Sequence, residues 1–350
     1  MTSQTRARPR WRLVSTKIAR IALLVLPLLW LSKKVDVRGI ANSMMQVGIG
    51  RLALGLSLQL CIVVVVSIRW RTLLITYGAA RRPALLELVR ANLVANYFAL
   101  LPLPAADEGV RVLRTVSLFP GARLSPYLVL VAERLTGLVG LLLLALTASL
   151  ASRRALSEPA LHALTFGCLV AFILAMPALA LPGLLKSRPA WRSQVARIPV
   201  VGPTLSRLEP PARRLDLMIS VAISALGHFG SCAVIALLFW PLDPRATLSL
   251  CTQVQPVVLL AMSFALTPGG VGQRELVFAA LYGLAGVAST SAVTVSLLSF
   301  SLALAQAAVG GLVYACERLC EGTGSPTVSP AIAPDALGER KSAEGGDSIR

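Results

Sequence analysis

The 350-residue chain is poor in charge, and the little that it has is mostly of one sign. Only 14% of its residues are charged, with 34 Lys and Arg against 16 Asp and Glu, whereas about a quarter of a soluble globular chain is charged. Aromatic residues make up only 5%, and the basic residues lie in gaps between apolar runs rather than in a patch interleaved with aromatics. This distribution argues against a nucleic-acid partner despite the net charge of +18.

Residues for metal and nucleotide chemistry are also scarce. The chain has two His and six Cys, too few in too scattered an arrangement for a Cys/His metal cluster. Walker-type loops and dinucleotide fingerprints are missing from the sequence. We therefore expect no cofactor, no metal site and no ATP hydrolysis through a known motif.

What the chain has in abundance is apolar sequence, with 55% hydrophobic residues and a mean hydropathy of +0.73. Several runs approach or exceed the ~20 residues that a membrane-spanning helix needs. The candidate spans are 18–31, 52–68, 126–150, 161–181, 217–240, 248–266 and 292–316. The expected fold class is an all-α, polytopic integral membrane bundle of about 7–8 spans. Residues 1–17 would be a basic cytoplasmic segment, 18–321 the transmembrane domain and 322–350, rich in Gly, Ser, Pro and charge, a disordered tail.

The basic residues predict the topology by the positive-inside rule. They concentrate before the first span, in the segment that follows the second span from Arg69 to Arg90, and in the 182–216 loop. We expect these regions and the N-terminus to lie in the cytoplasm, and the protein to be embedded in the inner membrane. Trp70 and Trp240, which close two predicted spans, are expected to be interfacial anchors.

Two Gly/Pro-broken segments begin with nearly the same letters. Phe98–Pro102 reads FALLP and Phe264–Pro268 reads FALTP, and 268 − 102 = 166 residues separate the two prolines. Paired broken segments in two halves of a membrane protein are a sequence pointer to a substrate site. The number of membrane crossings between the cytoplasmic basic regions predicts that the segment 85–120 enters the membrane from the cytoplasm and returns to the cytoplasm. If the segment 248–287 enters the membrane from outside and returns there, the two halves that contain the broken segments are inverted repeats. The sequence also leaves open a full crossing of the membrane by 248–266.

Ionisable residues cluster at these breaks, where membrane burial demands a partner or a polar cavity. Glu133 and Arg134 are chain neighbours that point to different sides of a helix, so each needs a partner elsewhere, such as Arg111 or Arg274 for Glu133. A helix restarting after the glycine run would direct its N–H groups at the break, where they suit an anion such as a phosphate headgroup. No catalytic residue is predicted. The candidate substrate-binding residues are Asn96, Glu108, Arg111, Glu133, Arg134, Gly269, Gly270, Gly272, Arg274 and Glu275.

A purely architectural role for these charges stays open, because broken helices with Arg–Glu pairs can simply pin two hairpins together. His228, which lies between Gly227 and Phe229, is interpreted as a packed or hydrogen-bonded interior residue. Gly137 and Gly140 are interpreted as sites of close helix packing.

Two windows carry a family resemblance. The first runs from Asn96 to Leu138 and contains N-x-F-x-x-L-P, then E-G-x-R, then E-R-x-x-G; the second contains G-x-G-x-R-E from Gly270 to Glu275. Together they resemble the membrane domain of lysylphosphatidylglycerol synthases and the flippase-like proteins related to it. The chain departs from the family pattern at 103–107, where Leu-Pro-Ala-Ala-Asp stands in place of glycines. The full synthases carry an aminoacyl-transferase domain that has no counterpart in this sequence.

The resemblance implies a lipid translocase that moves a lipid with a polar or anionic headgroup. The expected partners are membrane lipids, either an anionic phospholipid or a polyprenyl- or hopanoid-type lipid. Two alternatives remain open: a non-catalytic scaffold or regulator of an envelope lipid enzyme, and a membrane-embedded headgroup transferase with Glu108 or Glu133 as general base.

Overall fold

The structure is a computed structural model. It describes residues 37–100, 105–120, 125–151, 166–175, 214–263 and 272–321, together with 159, 163, 193 and 194. Within these residues the regular structure is entirely helical. The helices, in chain order, are α1 (Val37–Thr76), α2 (Leu85–Phe98), α3 (Ala106–Thr115), α4 (Ser125–Ala151), α5 (Phe166–Ala175), α6 (Arg214–Phe239), α7 (Leu248–Met262), α8 (Gln273–Leu284) and α9 (Ser289–Glu321). The predicted basic segment 1–17, the first predicted span and the predicted tail lie outside the described residues.

Four of the described helices are long and apolar enough to cross a membrane. They are Met45–Thr76, Ser125–Ala151, Leu215–Phe239 and Ser289–Cys320. They contain the predicted spans 52–68, 126–150 and 292–316 and all but the last residue of the predicted span 217–240. The prediction of an all-α bundle of membrane-spanning helices is confirmed at this level. By contrast, α7 has 15 residues and measures about 22 Å at about 1.5 Å per residue, less than the ~30 Å of a bilayer core.

Large apolar side chains on the outside of the bundle fit a lipid environment. Leu226 and Phe229 on α6, Ile173 on α5 and Leu304 on α9 are all exposed. A helix that is apolar on every side is buried either in a large core or in a membrane. Their exposure among the described residues is the pattern expected of helices that face lipid.

The order of long and short helices repeats. The long helix α1 is followed by the short pair α2 and α3 and then by long α4; likewise long α6 is followed by the short pair α7 and α8 and then by long α9. Each short pair encloses one of the two broken segments found in the sequence. We call helices α1–α4 the first unit and helices α6–α9 the second unit.

The packing repeats in the same way. The short helix α2 packs on the last helix of the other unit, α9, and its counterpart α7 packs on α4. Helix α6 packs on α4 as α1 packs on α9, and α1 and α6, the two first helices, pack on each other. Exchanging the two units therefore maps these helix contacts onto one another, as expected for a pseudo-two-fold arrangement.

Hydrogen bonds bring together the two ends of each short pair. Before α2, the N–H of Ala80 donates to the carbonyl of Leu118, which follows α3, at 2.8 Å. Before α7, Arg245 Nη1 donates to the carbonyl of Gly286, which follows α8, at 2.8 Å. Each short pair therefore begins and ends at one end of the bundle.

Glycines permit the closest helix contacts. A Cβ added to Gly140 on α4 would lie 2.5 Å from Cβ of Ser224 on α6, so the predicted packing role of this glycine is confirmed. A Cβ on Gly310 of α9 would lie 1.9 Å from the carbonyl oxygen of Leu93 on α2. At both positions a larger residue forces the helix backbones apart.

Candidate functional site

A largely buried cluster of three charged side chains links three helices of the first unit. One oxygen of Glu133 on α4, Oε1, accepts a hydrogen bond from Arg69 Nη2 of α1 and another from Arg111 Nη1 of α3, each at 2.8 Å. The exposed fractions of the side chains are 10% for Arg69, 15% for Arg111 and 5% for Glu133. We call Arg69, Arg111 and Glu133 the arginine–glutamate cluster.

The neighbours of the cluster fix the two guanidinium groups in place. Arg69 Nη1 donates to Ser224 Oγ on α6 at 2.9 Å, so the cluster contacts the second unit as well. The guanidinium carbon of Arg111 lies 5.8 Å from the ring centroid of Trp70, a distance at which a cation–π attraction operates. A Cβ on Gly137 would lie 3.2 Å from Arg69 Nη1, which explains why a residue without a side chain stands there.

Several polar atoms in this region have no partner among the described residues. They include Nε of Arg69, Nε of Arg111, Oε2 of Glu133 and Oδ1 of the neighbouring Asn92, whose amide nitrogen donates to Ser67 Oγ at 2.8 Å. Buried polar atoms are normally hydrogen-bonded, and each exception calls for an explanation such as a ligand or an unseen water. Two buried guanidinium groups share a single carboxylate, so the cluster keeps one net positive charge.

The second ion pair of the first unit lies at the surface. Glu108 on α3 accepts hydrogen bonds from Nε and Nη2 of Arg134 on α4, the former at 3.0 Å. The Arg134 side chain is 70% exposed. As predicted, the chain neighbours Glu133 and Arg134 point apart, and each has its own partner.

The two breaks end in the same way, with a residue of positive φ that caps the next helix. Ala105 (φ 58°) precedes α3 and Gly272 (φ 80°) precedes α8. In both helices a glutamate stands three residues later: Glu108 in α3 and Glu275 in α8. Ala105 thus has the left-handed backbone conformation that normally favours glycine.

This difference gives a paired prediction. Ala105→Gly should raise the free energy of unfolding by about 1 kcal/mol, because a Cβ in the left-handed region costs about 1–2 kcal/mol. Gly272→Ala should lower it by about 1–3 kcal/mol for the same reason. Unfolding by denaturant in mixed micelles measures both. Equal shifts of the same sign would contradict the assignment of the two positions as equivalent strained caps.

The second unit has its own polar centre at the start of α8. Glu275 Oε2 accepts from the N–H of Gly272 at 2.6 Å, and its Oε1 accepts from Arg274 Nη2 at 3.2 Å. Arg274 also donates from Nε to Ser296 Oγ on α9 at 3.2 Å, and its guanidinium carbon lies 4.5 Å above the ring of Phe300. Here chain neighbours do pair, because Glu275 turns back to cap its own helix and meets the Arg274 guanidinium there.

The structure brings some of the predicted site residues together and separates others. Of the two partners expected for Glu133, Arg111 is bound, whereas Arg274 is held by Glu275 and Ser296. Asn96 on α2 is half-buried. Gly269 and Gly270 lie outside the described residues. His228 Nε2 lies 3.1 Å from the carbonyl oxygen of Gly137, as an interior hydrogen-bonded residue should.

Two predictions for adjacent residues, Arg69 of the cluster and its neighbour Trp70, are wrong. From the sequence, Arg69 is expected in a cytoplasmic basic segment and Trp70 is interpreted as an interfacial anchor. In the structure both lie inside α1, and Trp70 is 1% exposed in the apolar core beneath Arg111. The only available signal was the position of Arg69 before the end of an apolar run that continues for another two turns.

Four described helices that are apolar and long enough to cross a membrane, two short pairs around the breaks and buried charge beside them are the features of a polytopic membrane protein. The family model described as "Lysylphosphatidylglycerol synthase TM region" matches residues 17–310. The chain therefore belongs to that family, which confirms the resemblance carried by the two sequence windows. No curated protein and no solved structure gives a significant match to the chain.

Proposed function

We propose that the protein is a lipid translocase that moves a lipid with an anionic headgroup between the leaflets of the inner membrane. The observation that carries the proposal is the arginine–glutamate cluster, which keeps a net positive charge and unpaired polar atoms inside the bundle. Ionisable groups at membrane depth are costly and mark substrate pathways more often than they mark architecture. Family membership associates the chain with lipid synthesis or flipping.

The fold supports this proposal through its topology. With both ends of each short pair at one end of the bundle, α2–α3 and α7–α8 act as re-entrant hairpins that enter the membrane and return. Thr76 at the end of α1 donates to Asp216 at the start of α6 at 3.1 Å, so these equivalent helices run antiparallel. The two units are then inverted repeats, the arrangement of many secondary transporters.

Charge sets the orientation in this proposal. Arg81, Arg82 and Arg90 follow α1 at one end of the bundle, whereas Arg245 lies at the other end beside Gly286. The positive-inside rule places the first end in the cytoplasm. A crossing by the predicted span 18–31 then puts the N-terminus there, and a crossing by the apolar segment around α5 puts the 182–216 loop there as well. The first break is then reached from the cytoplasm and the second from outside.

Site residues have separate roles in the proposal. Arg69 and Arg111 bind the headgroup, with Glu133 positioning both guanidinium groups. Glu108 and Arg134 line the exposed entrance. Asn96, Gly269, Gly270, Gly272, Arg274 and Glu275 line the pathway at the two breaks, and the acyl chains stay in the bilayer throughout.

The test is reconstitution of the purified chain in liposomes with fluorescent phospholipid in both leaflets, followed by quenching from outside. We expect more than half of the label to become accessible with the wild type, and Arg111→Gln to reduce the initial rate about tenfold or more, since a buried charged contact contributes about 1.5–3 kcal/mol. Arg81→Gln is the matched control, because Arg81 forms an exposed ion pair with Glu87 and its loss should leave the rate unchanged.

The alternative outcomes are distinct. No movement of any lipid by folded protein would overturn the proposal and favour a scaffold or regulator of an envelope enzyme. A chemically altered lipid recovered from the liposomes would favour the headgroup transferase instead.

A further inference from the structure

Among the described residues, the contacts of the arginine–glutamate cluster do not balance its charge. Two guanidinium groups meet one carboxylate, and both bonds end on the same oxygen of Glu133. Two other acids of the first unit, Asp107 and Glu108, interact with Arg134 on the outer side of α4 instead. His228 uses its Nε2 on a backbone carbonyl and adds no negative charge. Within the part of the chain that the structure describes, these contacts leave one unit of positive charge on the cluster.

The unpaired atoms indicate what would balance this charge. Nε of Arg69 and Nε of Arg111 are buried donors without a partner among the described residues. A phosphate group offers several acceptor oxygens and binds the planar fork of arginine in a bidentate manner. A ligand that satisfies both donors and carries one negative charge makes the cluster neutral.

We propose that Arg69, Arg111 and Glu133 form a binding site for one monoanionic phosphodiester, with Glu133 setting the charge that the site accepts. The proposal deepens the proposed function, since it takes the phosphodiester from a lipid headgroup. The proposal narrows the expected cargo to phospholipids. A hopanoid-type lipid with an uncharged headgroup would leave the positive charge of the cluster unbalanced. A lipid pyrophosphate or phosphomonoester would bring more negative charge than the cluster can balance. Glu133 thereby excludes the more highly charged lipids by like-charge repulsion, a repulsive contribution to specificity.

The charge count can be varied residue by residue. Glu133→Gln raises the net charge of the cluster to two positive charges, Arg69→Gln lowers it to zero, and the double variant restores one. Arg81→Gln, which alters only an exposed pair, is the control. Because the double variant restores the charge with fewer ionic contacts, it separates the charge preference from the general loss of a contact.

The experiment titrates three lipids with identical acyl chains into the purified full chain in uncharged maltoside micelles at pH 8. The lipids are phosphatidylglycerol with one negative charge, phosphatidic acid with nearly two, and uncharged diacylglycerol. Binding is followed by energy transfer from the tryptophans of the protein to a labelled acyl chain. Thermal unfolding of each variant identifies any that fail to fold.

We expect the wild type to bind phosphatidylglycerol about tenfold more tightly than phosphatidic acid, and Glu133→Gln to reverse this preference, since one unbalanced buried charge is worth at least about 1.4 kcal/mol. Arg69→Gln should weaken both anionic lipids, and the double variant should regain the preference for phosphatidylglycerol. A ratio of the two affinities that stays constant across the folded variants would overturn the proposal.

Two further arms identify the source of the phosphodiester and separate this inference from the proposed function. Soluble glycerophosphoglycerol that displaces the lipid at equal concentration would overturn the assignment to a lipid headgroup. If the folded proteins keep the charge preference in lipid binding but move no lipid in liposomes, the result supports the binding site and overturns the proposed translocase function. Lipid movement without any charge preference would overturn the site alone.

Discussion

Replacing Glu133 with alanine is expected to lower the free energy of unfolding by about 3–5 kcal/mol, the cost of leaving a buried ion pair without one partner. The effect is large because Glu133 Oε1 accepts from both Arg69 and Arg111 at 2.8 Å, so one deletion leaves two guanidinium groups unpaired. Arg69 is buried and the Arg111 side chain is only 15% exposed, so water has little access to the place of the carboxylate. Denaturant unfolding in mixed micelles, with tryptophan fluorescence reporting on Trp70 beneath Arg111, measures the loss.

The same helices supply the control. Glu108 on α3 and Arg134 on α4 pair at the surface, with the Arg134 side chain 70% exposed. Glu108→Ala should change the unfolding free energy by less than about 1 kcal/mol, as exposed ion pairs do. Equal losses from the two substitutions would mean that water reaches the arginine–glutamate cluster, and the charge argument for a buried phosphodiester site would fail with it.

Much of the fold follows from the sequence, because the signals are local. Apolar runs at 52–68, 126–150, 217–240 and 292–316 predict the four long helices, since length and hydropathy alone decide a span. The matching FALLP and FALTP segments predict the two breaks, and in the structure a residue of positive φ, Ala105 or Gly272, precedes the helix that follows each break.

The centre of the site depends on information that is not local. Arg69 stands at the end of an apolar run, where an arginine that pairs across the bundle and one that faces the cytoplasm look alike in sequence. What distinguishes them is the contact of α1 with α4 and α6, which brings Glu133 and Ser224 to its guanidinium. The pairing of Arg274 with Glu275 was missed for a related reason: adjacent side chains diverge within a helix, but a glutamate in the first turn bends back to the capping residue.

The tightest contact between the two units gives the second large prediction. Gly310→Ala on α9 should lower the free energy of unfolding by about 3 kcal/mol, the upper range for overpacking a close contact, because the new methyl group would lie 1.9 Å from the carbonyl oxygen of Leu93 on α2. Backbone cannot rotate away as a side chain can, so α2 and α9 must separate. Gly283→Ala on α8, where nothing lies within 4 Å of an added Cβ, is the matched control and should be neutral or slightly stabilising.

Measuring the rate of lipid movement shows whether α2 and α9 stay in contact during transport. Because α2 leads directly into the first break, moving α2 away from α9 displaces that break relative to the second unit. If α2 and α9 stay packed throughout the transport cycle, Gly310→Ala should reduce the initial rate in liposomes about tenfold at a temperature where the protein is still folded. A variant with the expected loss of stability but an unchanged rate would show instead that α2 and α9 separate in the rate-limiting step, and that the tight contact belongs to a resting state that the protein leaves in order to move lipid.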